Sequence, residues 1–470
     1  MKFSYITSFI LLILNCFSAL GQKADTVLKS GHIDSTQIFK LFYVPVNVPA
    51  GITEIKVKEQ YSNEGKNVLN MGIYAPGDYS IGKTVNFRGW SGGAKNEFFI
   101  NEADASTGYI PGKITPGIWH VLIYSSTIIK AGLDWKLEIS LSKTQPKKPF
   151  IIKPAKKIIN QITGWYSGDL HMHTLHSDGK RTQQELVDEA VSKKLDYIIS
   201  TEHNTNSANL KWGYYDPNNL LVINGEEITT TAFGHWNALG LKTKTLIDWR
   251  YTPTDKVIQR YINMVHNDGG LCIINHPFYT KDLSNGFKFD PLLFDGIEIW
   301  NGNWDFMDAK ALKWWQQLLK QGNHLLAIGA SDTHKATGSE NNLGNPSTIV
   351  YAEGLSKEAI LNGLRNRTTY ISSLGKIDLI FNAQTSNGKA TIGETLKVKP
   401  AGEVSANLVL KPLPNAVVTL IGEQGPLFTV KADREQYQWT IPAASTKFIR
   451  IEVRDAKDQM LILTNPIWLK

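Results

Sequence analysis

Two histidines stand two residues apart in Gly168-Asp169-Leu170-His171-Met172-His173. On an extended strand, residues i and i+2 face the same way, so both imidazoles can reach one ion. Ala330-Ser331-Asp332-Thr333-His334 repeats the arrangement with a carboxylate and an imidazole. Further apolar runs end in the same groups. His203 closes Ile198-Ile199-Ser200-Thr201-Glu202-His203, Glu227 follows Val222-Ile223-Asn224-Gly225-Glu226, and His276 follows Ile273-Ile274-Asn275. His235 lies in Gly234-His235-Trp236-Asn237, and Asp178, in Ser177-Asp178-Gly179, fits a turn as well as a ligand. Any one of these residues reads as a hydrogen-bonded core histidine or a turn acid. Together they do not, because polar groups clustered beyond apolar strand ends are costly to bury without a shared partner. Imidazole with carboxylate and no thiolate suits zinc, manganese or iron.

The elements that must carry these groups alternate between strand and helix over residues 160–375. Strand-like runs occur at Tyr197–Ser200, Leu220–Asn224, Leu271–Asn275, Gly296–Trp300 and Leu325–Gly329. Between them lie amphipathic stretches at Thr182–Lys194, Thr254–Asn267 and Asp305–Lys320, the first with Thr182 and Glu185 at capping-box spacing. Repeated strand–helix units imply a parallel sheet, closed as a barrel or open. Ligands at the C-terminal ends of such strands share one mouth. The flanks read differently: short alternating runs such as Ile55-Lys56-Val57-Lys58 and Phe448-Ile449-Arg450-Ile451 recur between Gly and Pro breaks. In the N-terminal flank, Arg88-Gly89-Trp90-Ser91-Gly92-Gly93 and Gly108-Tyr109-Ile110-Pro111-Gly112 either shape a binding surface or are tight turns packed on aromatics.

His-Met-His after a strand, a later acid–His pair, Gly-x-Glu, Asn-His-Pro and Ser-Asp-x-His resemble the PHP (polymerase and histidinol phosphatase) metallohydrolase family. Arg88-Gly89-Trp90-Ser91-Gly92 and Asn465-Pro466-Ile467-Trp468 resemble its secreted carbaryl-hydrolase-like (CehA/McbA) branch. The resemblance implies an α/β fold with a distorted seven-stranded β/α barrel, and the alternating runs on either side read as N-terminal and C-terminal β-sandwich domains. It also implies two or three divalent ions, Zn, Mn or Fe. One metal takes His171, His173, Glu227 and Asp332; a second shares Glu227 and adds His235 and His276; a third takes Asp178, His203 and His334. Glu227 and Asp332 then hold a metal-bound hydroxide as the nucleophile. Glu202 departs from the family, which has Asp before this histidine, and is expected to orient His203. His176, His266 and His324 match no ligand position.

The expected organisation is a signal peptide at 1–21, a β-sandwich domain at 22–145 and a Lys/Pro-rich linker at 146–162. The metallohydrolase barrel follows at 163–375, and a second β-sandwich at 376–470. Lys2, the apolar run Phe9–Leu14 and Ser18-Ala19-Leu20-Gly21 are the parts of an export leader, giving a secreted or periplasmic protein. Cys16 is a poorer reading as a lipid anchor, because Asn15 precedes it. No later segment is long enough to span a bilayer. After cleavage Cys272 is the remaining cysteine, so no internal disulfide forms, and its apolar surroundings make it a core residue. The formal charge of +7 falls to +6 with the leader, which carries one Lys and no acid. That is mildly basic, and without a concentrated basic-aromatic stretch no nucleic-acid partner is expected.

The expected partner is a small molecule, anionic by charge balance. Three divalent ions against Asp178, Glu227 and Asp332 leave a surplus of three positive charges, which attracts phosphate. Two ions against Glu227 and Asp332 leave two, and neutral acyl substrates gain ground. Lys180, Arg181, Asn204, Asn237 and Lys335 lie beside ligand positions and are candidate substrate contacts. The expected activity is therefore phosphoester hydrolysis of a small organic phosphate. The alternatives are ester, amide or carbamate hydrolysis on the same metals, or a glycan- or surface-binding protein whose N-terminal β-domain does the work.

Overall fold

The computed structural model describes residues 25–143, 148–215, 217–279, 286–335 and 342–470. The leader at 1–21, Cys16 within it, and linker positions 146 and 147 lie outside the described residues. No helix among those described is long and apolar enough to cross a membrane.

The N-terminal flank forms two four-stranded antiparallel sheets. One orders Asp25–Ile33, Leu133–Ser142, Glu54–Tyr61 and Glu97–Asn101, and the other Phe42–Val48, Gly117–Thr127, Val68–Tyr74 and Phe87–Gly92. Alternation along the strands turns Val57, Leu69, Trp119 and Ile139 into one shared core.

Nine strands build the central layer. They are β1 (Ile158–Asp169), β2 (Tyr197–Ser200), β3 (Leu221–Thr229), β4 (His235–Leu239), β5 (Leu271–Ile274), β6 (Gly296–Asn301), β7 (Leu326–Ala330), β8 (Ser347–Ser356) and β9 (Thr369–Ser372). Strands β1 to β7 pair in sequence order, and β8 and β9 continue the sheet beyond β1. The sheet is not parallel throughout. Strand β4 pairs antiparallel with both β3 and β5, while β1–β2–β3 and β5–β6–β7 are parallel. A five-residue connection from β3, residues 230–234, leaves no room for a crossover helix, so the chain must reverse there. Four α-helices are described: α1 (Gln183–Ser192), α2 (Ile258–Asn267), α3 (Phe306–Lys320) and α4 (Lys357–Arg365). Thr182 and Glu185 form the reciprocal cap of α1, and Asp305 caps α3. Helix α2 starts four residues later than its periodicity suggests, because Pro253–Asp255 turn as a 3-10 segment and Lys256 takes a left-handed φ of 53°.

Two expected boundaries change. Residues 158–162, assigned to the linker, are the start of β1, since this β-branched stretch pairs with β8. Nor is residue 376 a break in hydrogen bonding. Strand β9 pairs with Met460–Thr464, and the sheet runs on through Phe448–Arg454, Val417–Gly422 and Gly425–Lys431. A separate four-stranded sheet, with Leu379–Thr385 and Glu403–Leu410 at its centre, packs over this extension. The cores are shared as well. One apolar cluster joins Trp90 and Tyr124 of the N-terminal sheets, Trp236 and Trp315 of the central unit, and Phe448 and Trp468 near the C-terminus.

At their C-terminal ends β1 and β7 meet through a parallel bridge between Met172 and Thr333. Lower down, a side chain does the joining. The Asn465 amide accepts from the Ala327 N–H at 2.9 Å and donates to the Ala327 carbonyl at 2.9 Å and Thr369 Oγ1 at 2.6 Å. It stands in for a missing length of strand between β7 and β9.

Candidate metal centre

Every proposed ligand projects at one end of the central layer. His171 and His173 follow β1, His203 follows β2, His276 follows β5, and Asp332 and His334 follow β7. Glu227 is near the end of β3. His235 is the first residue of β4, and because β4 runs backwards its start lies with the other strands' ends. Backbone pairing fixes these positions. Asp332 N–H donates to the His171 carbonyl at 2.9 Å, His173 N–H to that of Thr333 at 3.1 Å, and His203 bridges Glu227. Beneath them the buried Asp169 carboxylate accepts backbone N–H bonds from His171, Ser331 and Gly344, tying β1 to β7.

Glu227 is the hub. Its Oε2 lies 3.3 Å from His171 Nε2, 3.4 Å from His173 Nε2 and 2.8 Å from His203 Nδ1. Its Oε1 lies 3.1 Å from His235 Nδ1 and 3.4 Å from His276 Nε2, and accepts from Asn275 Nδ2 at 2.9 Å. Asp332 Oδ1 approaches His173 Nε2 at 3.0 Å and His171 Nε2 at 3.3 Å. On the outer side Asp178 Oδ1 lies 3.3 Å from His334 Nε2 and 3.6 Å from His203 Nε2. His173 is within ligand range of this outer group too.

Three buried atoms, His171 Nε2, Glu227 Oε2 and Asp178 Oδ1, have no hydrogen-bond partner, although each faces donor atoms of the opposite type. Convergent, unsatisfied nitrogen and oxygen donors are what a divalent cation would satisfy. The donor set fits one. Burial alone would raise the Glu227 carboxyl, but the imidazoles of His203, His171 and His235 hold it well below the usual carboxylate range. Asp332 is held down in the same way against its burial, chiefly by His171. Burial, with His334 and His203 beside it, lowers His173 to about 3, so that ring is a neutral donor. Two of the ligands also sit in strained backbone: His276 has φ 22° and Asp332 φ 50°.

Glu298, in the middle of β6, belongs to this cluster and is absent from the expected ligand set. Its Oε1 lies 3.1 Å from His171 Nδ1, and its Oε2 accepts from the His276 N–H at 2.9 Å and from Asn301 Nδ2 at 3.2 Å. The available signal was a lone acid inside Ile297-Glu298-Ile299. It gives the cluster a fourth carboxylate.

The loop between His173 and Asp178 is clamped. Glu202 does not orient His203. Its carboxylate accepts from the Thr174 N–H, the Thr174 hydroxyl and, at 2.6 Å, the Ser177 hydroxyl. The extra methylene reaches the loop instead of the neighbouring ring. Gly179 is required there, since a Cβ would lie 2.4 Å from the His173 carbonyl.

The candidate substrate contacts divide. Lys180 lines a cleft of about 500 Å³ over Asp178, His203 and His235, whose facing wall includes Trp90, Ser91 and Ser126 of the N-terminal sheets. Asn204 touches the same cleft, but both ends of its amide bind the Thr229 backbone, so it holds β3 in place. Arg181 is buried against Glu189 at 2.7 Å and Thr333 at 3.0 Å, and Asn237 is fully buried within the layer. Lys335 is exposed and does not line the cleft. Sequence adjacency to a candidate ligand does not bring these side chains into the cleft: Arg181 and Asn237 are buried in the scaffold. His176 is buried on Ser207, His266 pairs with Asp295, and His324 stacks on Trp468. The Arg88–Gly93 loop is both a packed turn and a wall: Trp90 stacks on Tyr124 and meets Trp249 at a tilt while the loop borders the cleft.

No family model and no curated protein matches the chain. Among solved structures, it is similar to a two-domain protein from Bacteroides vulgatus containing a predicted PHP-like metal-dependent phosphoesterase. The identity is 20%, covering 69% of this chain and 100% of that one, with a TM-score of 0.36. It is also similar to an amidohydrolase from Chromobacterium violaceum with bound sulfate, at 15% identity over 37% of this chain and 89% of that one, with a TM-score of 0.27.

Proposed function

We propose that this chain is an exported metal-dependent hydrolase built on a PHP-type barrel, acting as a phosphoesterase on a small organic phosphate. One observation carries the reading: a single buried carboxylate, Glu227, faces five imidazoles with its two oxygens. A core hydrogen-bond network has no use for five such rings, and a carboxylate shared between cations does.

His171, His173, Glu227 and Asp332 would hold one ion, Glu227, His235 and His276 a second, and Asp178, His203 and His334 a third. Such ions, when bound, lower the pKa of water to about 7 and neutralise charge on substrate oxygens. The chain's own groups do the positioning. Asn275 fixes the rotation of Glu227, Glu298 fixes His171 and the His276 backbone, and Asn301 Nδ2, 3.3 Å from Asp332 Oδ2, steadies the opposite acid. Lys180 offers the cleft a cation for the substrate's anionic group.

Charge balance supports phosphate. Three ions against Asp178, Glu227, Glu298 and Asp332 leave a surplus of two positive charges. Two ions against Glu227, Glu298 and Asp332 leave one, and this extra acid favours ester or carbamate hydrolysis as the second reading. The apolar run Phe9–Leu14 supports export. Metal analysis of purified protein, followed by phosphatase, phosphodiesterase and esterase assays with and without chelator, tests the proposal. Full phosphatase activity in chelated, metal-free protein would sink it.

A further inference from the structure

The pair His235 and His276 stands between two hollows. The first is the cleft of about 500 Å³, which opens on His235, His203 and Asp178. The second, of about 370 Å³, opens on His276 and Glu298 and is lined by Phe278, Asn303 and Trp304. The two imidazole rings are 5.2 Å apart, and both approach Glu227 Oε1. A group bound beside these two rings would therefore have one hollow on each side.

Their linings differ in kind. The first carries the Lys180 cation and a row of hydroxyls from Ser91, Ser126, Thr230 and Thr231. Among its described lining residues the second has no Lys or Arg, and offers instead the carboxylates of Glu298, Asp305 and Asp308, the faces of Phe278 and Trp304 and the exposed amide of Asn303. A phosphomonoester has one organic group and fills one hollow. Its remaining oxygens carry negative charge, which the carboxylates lining the far side would repel and its aromatic faces would not solvate.

We propose that the substrate is a phosphodiester. Its polar, hydroxyl-bearing substituent lies in the first hollow and a flat substituent without negative charge in the second. This rests on the reading of the chain as a metal-dependent phosphoesterase. In the reaction a water oxygen forms a bond to phosphorus and the P–O bond to one substituent breaks. The proton released by water ends on the departing oxygen, giving a phosphomonoester and an alcohol with no change of oxidation state.

The full chain loaded with Mn²⁺ or Zn²⁺ is assayed on bis-p-nitrophenyl phosphate, p-nitrophenyl phosphate and p-nitrophenyl acetate. The expected result is a kcat/KM for the diester about 10-fold or more above that for the monoester. Phe278→Ala should raise KM for the diester about 5-fold more than for the monoester. Asn303→Trp, at an exposed position that leaves the core untouched, should lower diester kcat/KM by about 5-fold or more through crowding of the second hollow. A monoester preference, or variants that affect both phosphates equally, overturns the diester assignment and leaves the phosphoesterase reading intact. Metal-dependent cleavage of the acetate alone overturns both.

Discussion

Lys95 Nζ, from the N-terminal sheets, donates to the carbonyl of Leu175 at 2.7 Å, and the same ammonium reaches the Ser177 carbonyl at 3.1 Å. The loop that delivers Asp178 is therefore held from below by Glu202 and from above by another part of the chain. Lys95→Met removes the upper clamp. About one equivalent of metal, the one assigned to Asp178, His203 and His334, should be lost, and activity should fall about 10- to 100-fold. Elemental analysis of dialysed protein measures the first effect, and unchanged stoichiometry would count against the clamp.

Glu298→Gln keeps the shape but removes the charge that faces His171. Metal affinity should drop about 10- to 100-fold, read by competition with a chromogenic chelator. Wild-type affinity would mean that Glu298 is only a hydrogen-bond partner of the His276 backbone.

His173→Ala and Asp332→Ala should each reduce hydrolysis to about a thousandth or less while far-ultraviolet circular dichroism stays close to wild type. A variant that retains normal rates would show the cluster is not the catalytic centre.

Glu59 points into the N-terminal core with neither carboxylate oxygen hydrogen-bonded, and burial, with Glu64 nearby, pushes it up to about 9. The folded state keeps a proton that the unfolded state releases above 4.5. Stability is therefore fully present below that value and is lost as pH rises toward 9, at up to about 1.4 kcal/mol per pH unit. Glu59→Gln should raise Tm at pH 8 and do little at pH 4.5. Parallel Tm–pH curves for the two proteins would contradict this.

Asn465→Leu leaves the Ala327 N–H and carbonyl and the Thr369 hydroxyl buried without their partner. The expected cost is about 2–4 kcal/mol, measured by urea unfolding followed through tryptophan fluorescence. A loss within error of zero would mean that water or a shifted strand replaces the amide.

The clustering of the candidate ligands was legible because polar groups directly after apolar runs are rare and expensive, and His171, His173, Asp332 and His334 fall at i, i+2 spacings. Glu298 was not, since one acid between two isoleucines also describes an ordinary half-exposed strand. Strand β4 was hidden by its direction: four residues after His235 carry no sign of whether they run with or against β3. Of the substrate contacts proposed from proximity, Lys180 and Asn204 line the cleft, while Arg181 and Asn237 are buried in the scaffold. The continuity of the central layer with the C-terminal strands was likewise unreadable, because pairing between distant segments is set by three-dimensional partners and not by local pattern.

Asn465 lies 138 positions beyond the Ala327 backbone it completes. A chain made N-terminus first thus has all its histidines and acids in hand well before the clasp that steadies β7, the strand leading to Asp332 and His334. Before residue 465 joins, β7 is held by its pairing with β6 and by the Asp169, His171 and Met172 contacts with β1. The strand leading to two candidate ligands thus takes part of its bracing from a segment laid down long after it.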